Sequence, residues 1–345
     1  MRRLFGLTTF ALALGVAAIA PTHAQEVTLK LHHFLGPKAP AQAAFMEPWA
    51  KQVEEESGGR IKVEIYPSMS LGGKPPQLIR QVRDGVVDIV WTVAGYTPGQ
   101  FPRVEVFELP FVHTNDAVAT NLAIQDLYAD YLAEDFQDVH PILVHVHAGQ
   151  AFHMVDSPIR SLDDVDGRKI RIPTRTGGWM LEALGANPVG MPVPEVPQAL
   201  SKQVIDGTLI PFEVTLPLKV HELTASSTVG PNDMRFGTAV FVFAMNKDSY
   251  AALPDDLKAV IDDNSGGHLA EKIGQVWNDI ETPGRQAAID RGNEMITLSH
   301  EELVRFQEAT APVRDRWIEE VGAAGIDGPA LYDAAIAAVA AHSGS

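Results

Sequence analysis

The sequence predicts an α/β protein built as two related lobes, and three observations lead there. Strands and helices alternate from Val27 to Val93, a motif from that stretch returns in the middle of the chain, and from Leu257 the pattern stays helical almost to the end. Alternating strand and helix patterns point to a largely parallel sheet with covering helices.

Val27, Leu29 and Leu31 alternate with polar residues up to His32-His33, which predicts a first strand. Pro37 and Pro40 lead into a helix carrying Phe45, Trp49 and Val53 and closed by Gly58-Gly59, with a late start or a kink at Pro48. Ile61, Val63 and Ile65 form a second strand stopped by Pro67. After a Gly72-Gly73 loop, Pro75-Pro76 opens a helix with Leu78, Ile79 and Val82 on one side. Asp88–Val93 is nearly all apolar, as a buried strand should be. A loop rich in glycine, proline and aromatics runs from Gly95 to Phe111, followed by a helix around 117–133 and a strand at Ile142–His147.

Gly59-Arg60 opens a strand, then come Gly72-Gly73 and a helix ending Gln81-Val82-Arg83-Asp84-Gly85 before the next strand. The same order returns with Gly167-Arg168, Gly177-Gly178 and Gln203-Val204-Ile205-Asp206-Gly207 before a strand at Thr208–Ile210, with room for an extra helix at Trp179–Leu184. Two related α/β lobes enclose a cleft. Thr238–Met245 is a β-prone apolar strand, and the later helices break at Gly266-Gly267 and Pro283-Gly284. Helices over 301–321 and 329–341 finish the chain and are placed to brace both lobes. The expected division is residues 25–148 with 237–275 for the first lobe, and 149–236 with 276–345 for the second.

Arg2 and Arg3, an apolar run from Leu4 to Ala20, and Pro21 before Thr22-His23-Ala24 form the pattern of a secretory signal peptide, with cleavage expected after Ala24. Arg2-Arg3-Leu4-Phe5 partly matches a twin-arginine signal, which leaves the export route open. Removing Arg2 and Arg3 takes the formal charge from −17 to −19. So acidic a chain, with no basic cluster, does not suit nucleic acid. There is no cysteine, so core packing replaces disulfides, and no second apolar run reaches the roughly 18 residues of a membrane span. An exported protein is expected.

No Gly-x-Ser-x-Gly elbow, His-Glu-x-x-His helix, phosphate loop or Gly-x-Gly-x-x-Gly fingerprint is present, so no enzyme activity and no cofactor are expected. Asp163-Asp164-Val165-Asp166-Gly167 lacks the alternating ligands of a calcium loop. His145 and His147 share a strand face near His153, and His32-His33 end another strand. Without cysteine or a third convergent ligand, these suit neutral hydrogen-bond donors to an anion better than zinc ligands.

In Gly167-Arg168-Lys169-Ile170-Arg171-Ile172-Pro173, Ile170 and Ile172 alternate with Lys169 and Arg171, and Pro173 ends the strand. Arg171 therefore sits on a rigid element near its end. Periodicity alone leaves two readings, a surface arginine beside a helix carboxylate or a bidentate clamp for a small carboxylate.

Four stretches resemble the solute-binding proteins of tripartite ATP-independent periplasmic (TRAP) transporters, the DctP-like family. They are Gly59–Pro67 with Leu71-Gly72-Gly73, Gln81–Ile89, Leu162–Pro173 and Ala199–Gly207, and Leu184–Pro192 also fits. The resemblance implies a two-lobed, periplasmic-binding-protein type II-like α/β fold with crossing hinge strands and a long bracing helix. It also implies an organic acid held between the lobes, delivery to membrane permease subunits, and Arg171 as the residue that pairs with the ligand carboxylate. Sialic-acid-binding members carry a second arginine where this chain has Ala151, and an asparagine where it has Ile210 before Pro211-Phe212-Glu213. An aromatic or short hydroxy- or keto-monocarboxylate is therefore expected rather than a sugar acid. The candidate binding residues are Arg171, with His153 as a replacement donor, and Trp91, Phe212, Glu213, His33, Tyr96, Gln150 and Trp179. The alternatives are a secreted hydrolase of small acids and a sensory protein that presents its ligand to a membrane receptor.

Overall fold

The computed structural model describes residues 25–344, so the signal segment expected over residues 1–24 lies outside the described residues. The chain begins with β1 (Val27–His33), α1 (Glu47–Glu56), β2 (Ile61–Tyr66), α2 (Leu78–Arg83) and β3 (Ile89–Val93). The expectation at Pro48 holds. Wide helical turns occupy Ala41–Met46, and the α-helix starts only at Glu47, with Pro48 in its first turn where no donor is missed. Next come α3 (Ala117–Leu127), β4 (His140–Val146), β5 (Ala151–Met154), β6 (Lys169–Ile172), α4 (Arg175–Ala183), β7 (Asn187–Gly190), α5 (Val196–Ser201), β8 (Gly207–Ile210), α6 (Phe212–Thr215) and β9 (Ser226–Val229). The remainder is β10 (Val240–Met245), α7 (Lys247–Ala251), α8 (Asp255–Asp263), α9 (Gly267–Asp279), α10 (Glu281–Arg291), β11 (Glu294–Thr297), α11 (His300–Ala323) and α12 (Gly328–His342).

The strands form two sheets, ordered β2-β1-β3-β10-β4 and β11-β9-β5-β8-β6-β7. Both are mixed. In the first, β10 runs antiparallel between β3 and β4; in the second, β5 runs antiparallel between β8 and β9. Each antiparallel strand is reached by a crossing of the chain from the other lobe, β4 to β5 through residues 147–150 and β9 to β10 through residues 230–239. The crossings are tied together where the Gln150 amide donates to the Gly237 carbonyl and the Phe236 amide to the Gln150 carbonyl, both at 2.9 Å.

Two helical passages brace the lobes. In α11, Phe306 lies in the core of the second lobe, while Val313, Trp317 and Val321 belong to the core cluster built on the first. Pro312, which removes one intrahelical donor, separates the two halves. The helices α9 and α10 share Ile280 as their junction. The break expected at Pro283-Gly284 is displaced to that point, because Pro283 falls in the first turn of α10, where its missing N–H has no partner to lose. The final helix departs from the expected division. Leu331, Ala335 and Val339 of α12 pack into the first lobe's cluster, against α3, because α11 has already carried the chain across.

Gly284 permits the closest of these contacts. A Cβ there would strike the Phe212 carbonyl at the start of α6. Gly284→Ala should lower stability by about 1–3 kcal/mol, the usual range for forcing atoms into packed backbone. A thermal melt checks it, and an unchanged midpoint would contradict the close approach.

Candidate functional site

Arg171 is the third residue of β6, held between β7 and β8. Strand alternation predicts a polar face at this position, yet the side chain is only 1 % exposed. Its Nε donates to the Met191 carbonyl at 2.9 Å and Nη1 to the Leu209 carbonyl at 3.3 Å, while Nη2 has no partner. Among the described residues no carboxylate lies within ion-pair distance of it. Burial lowers the pKa of the guanidinium and the neighbouring Tyr96 hydroxyl opposes that shift. A buried cation without a counter-ion is unfavourable by several kcal/mol unless a further group pairs with it.

The guanidinium lines a cavity between the lobes with about 390 Å³ of empty space, counted together with its opening to solvent. Its first-lobe wall is aromatic. Trp91 stacks between Phe34, at 5.1 Å, and Phe241, at 4.6 Å, and Tyr96 meets Phe34 edge-on. The second lobe adds Val193, Leu209, Ile210 and Val214. Arg171 is the only lysine or arginine among the lining residues.

Of the nine sequence-predicted residues, the cavity brings together Arg171, Trp91, Tyr96, Gln150 and Glu213. His153 is not there. Its Nδ1 meets the Ser227 hydroxyl at 2.9 Å and its Nε2 the Ile210 carbonyl at 3.2 Å, so the flanking strands use both ring nitrogens. Burial takes its pKa down to about 3, and it serves the sheet as a neutral side chain rather than as the replacement donor. Phe212 turns the other way, with the Arg235 and Arg285 guanidiniums 5.3 and 4.8 Å from its ring centre, so only its neighbours Pro211 and Glu213 reach the cavity. Trp179 lies on α4 under Arg175 and Arg316, and His33 is bound through Nε2 to Gln42 beside α1 at 3.0 Å. In each case strand or helix position was readable but side-chain direction depended on a partner distant in sequence.

Lining residues absent from that set include Phe34, Phe241 and His147. Phe34 follows the first strand directly. His147 was singled out with His145 on spacing, and the pair divide the work. The Trp91 indole donates to His145 Nε2 at 3.0 Å, which places the His145 proton on Nδ1, facing the Val146 carbonyl. His147 is reversed: its Nδ1 accepts from the Gly149 amide at 2.9 Å, leaving Nε2–H as the donor of a ring that lines the cavity. Burial holds both rings neutral, His145 at about 4 and His147 well below its ordinary value.

The lobes meet around this cavity. The Val193 amide donates to the Tyr96 hydroxyl at 2.9 Å, and Arg175 grips Glu105 through two bonds of 2.7 and 2.6 Å. Glu108, buried beside them, accepts from the Val240 amide at the end of a hinge crossing. Among the described residues no group of three histidines, cysteines, aspartates or glutamates is placed to hold a metal ion.

The chain matches the family described as bacterial extracellular solute-binding protein, family 7 (DctP), over residues 31–320. Its fold matches a marine metagenome TRAP solute-binding protein from an unidentified microbe, specific for aromatic acid ligands and solved with 3-hydroxybenzoate, at TM-score 0.90 and 46% identity, covering 93% of this chain and 100% of that one. A TRAP solute-binding protein from Rhodoferax ferrireducens, solved with copurified benzoate, matches at TM-score 0.89 and 44% identity over 92% of this chain and 98% of that chain. The C4-dicarboxylate-binding periplasmic protein DctP of Rhodobacter capsulatus is 28% identical over 93% of this chain and 96% of its own length.

Burial drives the Glu108 carboxyl up to about 8, far above its value in an unfolded chain, about 4.3. Between those values the folded state holds a proton that the unfolded state has lost, so stability falls as pH rises from about 5 to 8. Glu108→Gln should make that decline in apo melting temperature shallower. The same slope in the variant would contradict a buried neutral carboxyl.

Proposed function

The chain belongs to family 7 of the bacterial extracellular solute-binding proteins, and from that premise we propose that it captures an aromatic monocarboxylate between its lobes and delivers it to a TRAP-type permease. The observation that carries this is the unpartnered Nη2 of Arg171 inside an aromatic-walled cavity. A planar guanidinium pairs with a carboxylate through two parallel bonds, and the flat stack of Phe34, Trp91 and Phe241 suits a ring beside it. A dicarboxylate is a poorer fit, because no second lysine or arginine lines the cavity to pair with its second negative charge. The ligands of the two aromatic-acid-binding relatives, 3-hydroxybenzoate and benzoate, agree with this choice.

Binding and closure are one event in this reading. Arg171 belongs to the second lobe and Trp91 and Tyr96 to the first, so a ligand touching all three favours the arrangement in which the lobes meet. Each charge-assisted hydrogen bond contributes roughly 1.5–3 kcal/mol, a large share of the about −8 kcal/mol of a micromolar complex. The ligand leaves chemically unchanged. The protein acts in the periplasm after export and loss of residues 1–24, and the rims of both lobes meet the permease.

Benzoate at about a hundredfold excess over its Kd should raise the melting temperature by about 5 °C. Arg171→Ala should abolish that rise and leave the apo midpoint unchanged or higher, since it removes a buried unpaired charge. Arg171→Lys should restore little of it, because an ammonium lacks the fork. Retained stabilisation in Arg171→Ala would remove the guanidinium from the account.

A further inference from the structure

Among the described residues eleven buried side-chain polar atoms lack a hydrogen-bond partner, and three belong to residues lining the one cavity: Arg171 Nη2, Gln150 Oε1 and Glu213 Oε2. Buried polar atoms left unpaired are destabilising, so such a group of them marks where a ligand supplies what the protein lacks. The first is a donor and calls for an anion. The other two are acceptors. Gln150 is fixed in that sense because its Nε2 donates to the Thr238 carbonyl at 3.1 Å, leaving Oε1 to accept.

Glu213 stands on α6, immediately after β8, and is only 5 % exposed. Its backbone amide is used by the Glu281 carboxylate at 2.9 Å, which anchors the residue from behind. Burial, and after it the Glu281 charge, push its carboxyl well above the ordinary range. Its unpartnered Oε2, like Gln150 Oε1, is placed to accept the O–H of a hydroxyl group on the ligand. An unsubstituted ring offers these acceptors nothing.

We infer that Glu213, with Gln150, forms a second polar subsite that recognises a hydroxyl group on the ligand, so that the protein selects hydroxylated aromatic acids over unsubstituted ones. This rests on the aromatic-carboxylate reading above. The Arg171 end fixes the carboxylate, and the subsite decides which ring is accepted. Selection by a hydrogen-bonding subsite is sharp because the wrong ligand leaves buried groups unpaired.

Isothermal titration of the full exported chain with benzoate and its ortho-, meta- and para-hydroxy derivatives tests this. The wild type should bind at least one hydroxy isomer about tenfold more tightly than benzoate. In Glu213→Met, which keeps the side-chain length without polar atoms, that ratio should fall to about one. Glu213→Gln should keep most of the preference. An unchanged ratio in Glu213→Met, or a wild type that binds benzoate as tightly as every hydroxy isomer, would overturn the subsite while leaving the carboxylate reading standing. A wild type that bound none of the four acids would overturn both.

Discussion

A guanidinium placed out of water with no carboxylate beside it is the constraint on which this molecule turns. Arg171 has two backbone carbonyls as partners and one bare nitrogen, at the end of a strand buried on both sides. The protein could have neutralised it with an acidic neighbour; instead the acidic residue that shares the cavity, Glu213, is itself buried, and that burial pushes its carboxyl pKa upward. Desolvation lowers the pKa of His147, the histidine of the lining, so Arg171 supplies the positive charge among the lining residues. An incoming carboxylate thus meets a preformed partner whose Nη2 is still unpaired.

Around that charge the architecture is arranged so that two lobes share one pocket. The antiparallel strand in each sheet belongs to a crossing, and the two crossings bond to each other near Gln150 and Gly237, directly beside the cavity. The bracing helix passes from Phe306 in one core to Trp317 in the other. Of the contacts between the lobes, the bond from the Val193 amide to the Tyr96 hydroxyl joins two residues that both line the cavity, while Arg175 on Glu105 adds an ion pair between the lobes.

Much of this was legible in the residues. Period-two alternation located β1, β2 and β6, apolar runs located β3 and β10, and the Arg171 strand stood out through its own motif. Strand direction was not legible, because alternation reads the same in parallel and antiparallel ladders, and the mixed sheets follow from crossings that no local pattern records. The short strands at Asn187–Gly190 and Ser226–Val229 carry weak patterns and exist because neighbours pair with them. Within the site, the error was one of direction. His153, Phe212, Trp179 and His33 sit close to the cavity in sequence or strand position, but Ser227, Arg285, Arg316 and Gln42 draw them away from it. The local sequence has no record of those partners.

The central claim is that the bare nitrogen of Arg171 awaits a carboxylate. A crystal structure of the protein with bound benzoate tests it most directly. The account predicts both carboxylate oxygens on the guanidinium, at about 2.7–2.9 Å, with the ring against Trp91. A carboxylate bound elsewhere, with Nη2 still unpaired, would contradict it.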